Sequence, residues 1–253
     1  MAGARASTGG AASRSAETTT DSLYDGAVRL RQPARGYRVN VDALLLAAFA
    51  AQGRRAELAV DLGAGVGSVA LGLHHLGAAA RLALVEREPQ LIALAEENAR
   101  AAHMENLLFC HDLSLGLPEE LRQAADLVVS NPPFFDPDSS RQGPDAAKTR
   151  ARFGDLNPFV AAAAAAVSGA RGRVAFVYPA RELSHFLASS ERTQLIPKRL
   201  RFVHADANSP ARIALIELRR AKAGGLVVLP PLFEWAEKGV RTPELTLILA
   251  GKS

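Results

Sequence analysis

One cysteine, one tryptophan, two methionines and three tyrosines are all that these residue types contribute to 253 residues. With Cys110 alone no intrachain disulfide can form, so a small secreted scaffold held by cross-links is excluded. No apolar run approaches the length of a membrane span; the longest candidate, residues 161–167, is a short alanine-rich stretch that reads as a helix. The six histidines lack metal-ligand spacing to a cysteine or carboxylate cluster, so no metal site is expected. Charge of one sign is also scarce in excess. Thirty Lys+Arg against twenty-six Asp+Glu leaves +4, which by itself says little about nucleic acid. What is present, 48% hydrophobic and 22% charged residues, is globular composition and excludes wholesale disorder and collagen.

The first 22 residues contain no aromatic, Leu, Ile or Val. Such a segment buries too little to offset its ordering entropy, so it reads as a disordered tail. It also lacks the apolar core of a secretory signal, and the expected location is cytoplasmic. From residue 57 short apolar runs (58–62, 82–85, 107–110, 127–129 and 174–177) alternate with helical stretches (68–76, 89–102 and 159–167). Continuous apolar runs suit strands covered on both faces, and their alternation with helices means βαβ units. Cys110 lies in such a run and reads as a small core residue. Two later runs, 199–203 and 213–218, leave little room for a helix between them and can close the sheet as an antiparallel end. The fold class is therefore α/β: a Rossmann-like, mostly parallel sheet with an antiparallel C-terminal strand and helices on both faces, in one domain over residues 23–253.

Asp61-Leu62-Gly63-Ala64-Gly65-Val66-Gly67 follows an expected strand and precedes an expected helix. Glycines let the backbone turn tightly and approach a ligand closely. Glu86 ends the next strand, where a carboxylate can accept both hydroxyls of a ribose. A dinucleotide fingerprint runs G-x-G-x-x-G, whereas this loop runs G-x-G-x-G behind an acidic residue. An acid at that place disfavours a pyrophosphate and suits a cofactor with a cationic amino-acid end, such as S-adenosylmethionine. The alternative is a purely structural glycine turn.

Asn131-Pro132-Pro133-Phe134 follows the run 127–129. The prolines fix the backbone and remove two donors, so carbonyls there can face a site. The Asn131 amide oxygen and the Pro132 carbonyl can both accept from an exocyclic –NH₂, and Phe134 offers a flat face to a planar substrate. Such a nitrogen is a poor nucleophile because its lone pair is delocalised; two acceptors that favour the pyramidal form raise its reactivity. On its own the tetrapeptide also reads as a rigid turn with a core phenylalanine. Its place after the fourth strand beyond a cofactor loop favours the amine clamp.

With both motifs in hand, the chain resembles the class I S-adenosylmethionine-dependent methyltransferases of the N-P-P-[FY] group. Within that group it is most similar to the tRNA adenine-N6 methyltransferases that act beside the anticodon of a valine tRNA. Gly36-Tyr37-Arg38-Val39-Asn40-Val41-Asp42 and the following Leu44-Leu45-Leu46 resemble the entry segment over the cofactor, within residues 23–56. Ala151-Arg152-Phe153 resembles the basic-aromatic stretch after the tetrapeptide, and residues 230–245, ending Thr242-Pro243-Glu244, resemble the C-terminal strand and tail. The resemblance implies that Asp61, Gly63, Gly65 and Gly67 hold the cofactor, with Glu86 on the ribose and Asp112 on the adenine amino group. It places Asp42 in the cofactor-covering segment, where it could receive a proton late; a solvent relay serves equally. Asn131, Pro132 and Phe134 match the clamp on the target amine. Residues 136–148 form the expected substrate loop and match the family poorly, as does the tail.

Basic residues cluster at Arg29, Arg31, Arg35 and Arg38, at Lys148, Arg150 and Arg152, and at Lys198, Arg199 and Arg201. Of these, Arg38, Lys148 and Arg152 are the candidate phosphate contacts for an RNA substrate, most simply a tRNA. Arg219, Arg220 and Lys222 read as a polar loop. The expected state is a monomer or weak dimer with no membrane partner. Two relatives of the amine clamp compete: a release-factor glutamine methyltransferase, which would carry a helical domain upstream, and an rRNA N2-guanine methyltransferase, which would carry a duplicated domain. A nucleotide-binding module or dehydrogenase on the same sheet is the alternative of another class, disfavoured by the acidic loop and the clamp.

Overall fold

The computed structural model describes residues 17–35, 39–133 and 155–252. Strand β1 (Thr18–Leu23) pairs antiparallel with β2 (Val28–Pro33). This corrects the tail boundary, because residues 18–22 belong to a ladder. Their β-branched threonines favour a pleated ribbon. Arg31 donates to the Thr18 hydroxyl at 2.9 Å, and the fully buried Gln32 donates to Asp21. In β2, Val28, Leu30 and Gln32 point inward and Arg29 and Arg31 outward, the period of two that a one-sided strand requires.

Helix α1 (Val41–Ala51) follows, then β3 (Ala56–Leu62), α2 (Ser68–His75), β4 (Ala79–Glu86), α3 (Pro89–Ala101) and β5 (Asn106–Cys110). The second half runs β6 (Leu127–Ser130), α4 (Asn157–Ala166), β7 (Arg173–Pro179), α5 (Leu183–Glu191), β8 (Leu195–His204) and β9 (Ala211–Arg220). The sheet order is β5-β4-β3-β6-β7-β9-β8. Strands β3 to β7 are parallel, and β9 lies antiparallel between β7 and β8, as the short spacing between those two runs foretold. Two short strands, β10 (Val227–Val228) and β11 (Leu232–Phe233), add to the free edge of β8. A separate hairpin, β12 (Trp235–Glu237) with β13 (Val240–Arg241), leads into α6 (Pro243–Leu249).

The apolar runs of the central strands divide between two cores, because successive side chains leave opposite faces of the sheet. Leu82, Leu84, Leu127, Val129, Ala175 and Val177 meet α1, α2 and α3 on one face. Leu58, Val60, Leu62, Val85, Val128, Val174 and Phe176 meet α4 and α5 on the other. The run 107–110 is an exception. As β5 it is an edge strand; Leu107 is 44% exposed and Cys110 is exposed, not the core residue its neighbours suggested.

Buried polar groups pin the two ends of α1. At its C-terminal end, Arg173 donates to the carbonyls of Ala50 and Arg54 and pairs with the fully buried Glu217. Glu217 also takes Arg199 at 3.0 Å and Arg219 at 2.7 Å, so three guanidiniums answer one desolvated carboxylate. Arg219 and Arg220 therefore lie in β9 and not in a polar loop. The third basic cluster is likewise engaged within the chain: Lys198 caps the carbonyls of Lys222 and Gly224, and Arg201 pairs with Glu244.

Asn98, on α3 and 2% exposed, ties three segments together. Its amide accepts from the Arg31 N–H at 2.7 Å and donates to the Arg31 and Val66 carbonyls at 2.9 Å. The N-terminal hairpin is thereby fastened to the loop after β3. Asn98→Ala strands these buried backbone groups, and thermal unfolding should report a loss of about 2–4 kcal/mol.

Candidate functional site

From β3 the chain winds outward through β4 to β5, then returns to place β6 against the other side of β3. The helices change faces at that return. In such a sheet ligands bind outside the carboxyl ends of the strands at the reversal, here between β3 and β6. The loop of residues 61–67 and the Asn131-Pro132-Pro133 segment leave the sheet at this point. Ser130, fully buried, donates its hydroxyl to the Leu62 carbonyl at 2.7 Å and locks the two exits side by side.

The loop needs its glycines for two distinct reasons. Gly67 caps α2 at φ +85°, in the left-handed region that L side chains avoid, and a Cβ there would meet Leu84 at 3.1 Å. Gly65 also has positive φ, +56°, but among the described residues nothing lies within 4 Å of where its Cβ would stand. The Gly63 and Ala64 N–H groups bond the Val85 carbonyl at 2.8 and 3.0 Å, which fixes the loop to the end of β4.

Glu86, at that strand end and 8% exposed, accepts from the Gly65 N–H at 2.9 Å through one oxygen and from the Glu88 N–H at 3.0 Å through the other. A carboxylate offers about four lone-pair sites, so capacity for two further donors remains, which fits the two hydroxyls of a ribose. Asp61, 1% exposed, accepts from the Ala70 N–H at 3.2 Å. Burial pushes its carboxyl up to about 7, the Ala70 bond opposes the shift, and the charge of Glu86 adds to it. A buried acid poised at this value fits a cationic ammonium group that favours its ionised form. Asp112, beyond β5, accepts from the Ser114 N–H at 2.9 Å, and its bonds with Ser114 hold its carboxyl below the usual range. These accepting carboxylates, in and beside the loop, thus fit an amino-acid–bearing adenosyl cofactor.

Asp42 comes from a different element, α1. It is 1% exposed near the N-terminus of α1, where Arg212 of β9 bridges it at 2.7 Å to Glu234 at 2.6 Å. Its other oxygen lies 3.2 Å from the Asn40 amide nitrogen. Burial lowers the Arg212 guanidinium's affinity for its proton, but the two carboxylates outweigh it and the net shift is upward. With both oxygens engaged, Asp42 is a clasp between α1, β9 and the C-terminal segment. No local signal in the sequence announces Arg212 or Glu234, since the partners lie 170 and 22 positions away. Sequence reasoning also missed Phe159 of α4, whose ring stands 2.7 Å from where a Gly63 Cβ would be.

Asn131 is half-buried, Pro132 is buried and Pro133 exposed. Arg38, Phe134, Lys148 and Arg152 lie outside the described residues, as do most of the expected tail and the loop 136–148. Arg31 turns out to pair with Glu97 of α3. Among the described residues no group of three or more His, Cys, Asp or Glu side chains could hold a metal ion, and no helix is long and apolar enough to cross a membrane.

If Glu86 holds a ribose, Glu86→Ala leaves a hydroxyl pair unmatched. Calorimetry should then show S-adenosylmethionine bound about 1–3 kcal/mol more weakly by a folded variant. Unchanged affinity would remove Glu86 from the site.

Comparison with known proteins agrees with this geometry. The family model for the methyltransferase small domain matches residues 40–146. A Porphyromonas gingivalis protein named tRNA1(Val) (adenine(37)-N6)-methyltransferase is 31% identical over 193 residues, 73% of this chain and 75% of that one. A Flavobacterium johnsoniae protein of the same name is 28% identical over 218 residues, covering 85% and 92%. Among solved structures, a predicted O-methyltransferase from Agrobacterium tumefaciens superposes with a TM-score of 0.64 at 19% identity, over 84% of this chain and 97% of that one. That likeness shows the shared fold. The loop, the acid at the end of β4, the switch-point geometry and these relatives together make the chain an S-adenosylmethionine-dependent methyltransferase, and it belongs to the tRNA1(Val) (adenine(37)-N6)-methyltransferase family.

Proposed function

We propose that this enzyme methylates the N6 nitrogen of an adenosine beside the anticodon of a valine tRNA. The observation that carries the reading is the placement of Asn131 and Pro132 at the β3–β6 reversal, one strand from the cofactor loop, in a family named for adenine-N6 methylation. S-adenosylmethionine, when bound, supplies an electrophilic methyl group on a positively charged sulfur.

The residues of the chain then divide the work. Residues 61–67 hold the amino-acid end, with ionised Asp61 facing the ammonium. Glu86 takes the ribose hydroxyls and Asp112 the adenine amino group. The Asn131 amide oxygen and the Pro132 carbonyl accept the two N6 protons. They turn the nitrogen lone pair out of the ring plane toward the methyl group. So held by Asn131 and Pro132, the nitrogen would be aligned to take the methyl group, the bonding pair being left on the cofactor's sulfur. The surplus proton leaves N6 for solvent; Asp42, clasped by Arg212, is poorly suited to take it. Positioning at about 3–3.5 Å carries most of the acceleration, with no strong base required.

Phe134 supplies a stacking face for a base drawn out of the RNA, and Arg38, Lys148 and Arg152 supply phosphate contacts. Residues 23–56 cover the cofactor as part of a single domain whose first strand already begins at Thr18. The enzyme works in the cytoplasm, as a monomer or weak dimer. A radiolabelled-cofactor assay offering tRNA, rRNA and release-factor protein side by side tests the substrate class. Label confined to tRNA is expected, and label in rRNA or protein alone overturns the reading.

A further inference from the structure

The sequence holds a single tryptophan, Trp235, and the structure leaves it 37% exposed. It begins the β12–β13 hairpin, all of whose residues from Trp235 to Arg241 are exposed. A lone two-stranded ribbon is marginal in water, so its base must be held by something else. That base is built with care. The Glu234 and Trp235 N–H groups bond the carbonyls of His204 and Ala205 at 2.9 and 2.8 Å. Thr242 returns the chain by donating its N–H to the Glu234 carbonyl at 3.0 Å and its hydroxyl to Phe233 at 2.6 Å. Glu234 itself is clamped by Arg212. The foot is held by these bonds, while every residue of the ribbon is exposed.

Its location follows from the ladder. Val203 of β8 and Pro179 of β7 both sit opposite Ile213 of β9. Because β8 runs parallel to β7, His204 lies at the carboxyl edge of the sheet, the edge that carries Asn131. Strand β8 is three places from β6 in the sheet order. The foot continues β11 on the outer edge of β8, one place farther, so at about 4.8 Å per strand it stands about 19 Å along that edge from the amine clamp.

Its chemistry is aromatic and basic. Register sets Trp235 opposite Arg241, so the two side chains leave the ribbon on one face. Lys238 occupies the turn. Among the described residues neither Lys238 nor Arg241 makes a hydrogen bond or ion pair, whereas Arg31, Arg173, Arg199, Arg201, Arg212 and Arg219 are all paired internally. Glu237 is the one acid in the ribbon, which leaves it net positive.

We propose that the β12–β13 hairpin is an RNA-contacting arm: Trp235 stacks on an unpaired base of the substrate, and Lys238 and Arg241 hold the adjoining phosphates. This rests on the tRNA reading above and adds a second contact region to it. A base withdrawn for methylation unstacks its neighbours, and an exposed ring with two free cations on the same edge supplies what those neighbours lose.

Because Trp235 is the only tryptophan, intrinsic fluorescence reads the contact directly. The full chain is titrated with a tRNA1(Val) transcript at several salt concentrations, alongside Trp235→Ala and the double variant Lys238→Gln/Arg241→Gln. The transcript should quench the wild-type emission. Trp235→Ala should weaken RNA binding at least about tenfold. The double variant should lower the slope of log affinity against log salt by about 1.5. Cofactor affinity and melting temperature should stay at wild-type values in both variants. Unquenched emission together with wild-type RNA affinity in both variants overturns the arm alone, provided the wild type methylates the transcript. A wild type that leaves every tRNA unmethylated overturns the functional reading, and the arm's assigned partner with it.

Discussion

Asn131→Ala should lower turnover on tRNA by on the order of a hundredfold or more while leaving cofactor affinity within about twofold of wild type. The residue stands at the exit of β6, where the Ser130–Leu62 bond holds it beside the cofactor loop without making it part of that loop. An acceptor whose bond strengthens only as N6 becomes pyramidal acts on the transition state, so its loss falls on kcat and spares binding. Single-turnover kinetics with saturating cofactor would separate the two. A folded variant with wild-type turnover would reduce Asn131-Pro132-Pro133 to a structural turn.

Asp61→Asn should raise stability and lower function together. In the folded protein Asp61 holds its proton up to about 7, against 3.8 for an ordinary aspartate. Between those values the unfolded chain has released a proton that the folded chain retains. The unfolded state thus binds fewer protons, and this group makes stability fall as pH rises through that window. The loss is absent below about 4 and complete above about 7. Asparagine keeps an oxygen for the Ala70 N–H and has nothing to ionise. The cofactor-free variant should therefore match the wild type near pH 4 and melt higher at pH 8. The difference between the two proteins isolates Asp61, because the oppositely shifted Asp112 and Asp206 are common to both. Loss of a charged partner for the cofactor's ammonium should cost about 1.5–3 kcal/mol of affinity at pH 8. Wild-type affinity should itself strengthen as pH rises through about 7. A variant that melts lower than wild type at pH 8, or binds the cofactor equally well, contradicts the role given to this acid.

The legible parts of the fold are those where one residue type serves one physical need over a short span. Residues 58–62 and 127–129 read as strands because both faces of a central strand are covered, so nearly every position is apolar. The loop 61–67 read as a ligand turn because its glycines adopt left-handed angles beside an acid. Where that logic failed, two environments had similar local sequences. Residues 107–110 carry the same apolar pattern as the central strands, yet in an edge strand Leu107 and Cys110 are exposed and none of the four is buried. Residues 18–22 lack large apolar side chains, but Thr18, Thr19 and Thr20 pair along β2 and the strand is held by backbone and side-chain hydrogen bonds.

Distance along the chain explains the remaining misses. Asn98 is a helix residue like its neighbours until the fold brings Arg31 and Val66 against it, from 67 and 32 positions away. The clasp of Asp42 by Arg212 is longer still. In the sequence Asp42 stood as a candidate near the chemistry, and nothing there announced the Arg212 bridge that ties it to Glu234. Trp235 carried no message either, since a tryptophan in a C-terminal segment is as readily buried as exposed. Its exposure follows from the short ribbon that lifts it clear of β11.

The most direct measurement is nucleoside mass spectrometry of a tRNA1(Val) transcript after incubation with the enzyme and S-adenosylmethionine. One N6-methyladenosine per transcript is expected, mapped by nuclease fragments to the adenosine beside the anticodon and lost when that adenosine is replaced by guanosine. A methyl group on another atom, on another nucleotide, or on none would contradict the reading of Asn131 and Pro132 as a clamp on the N6 amine.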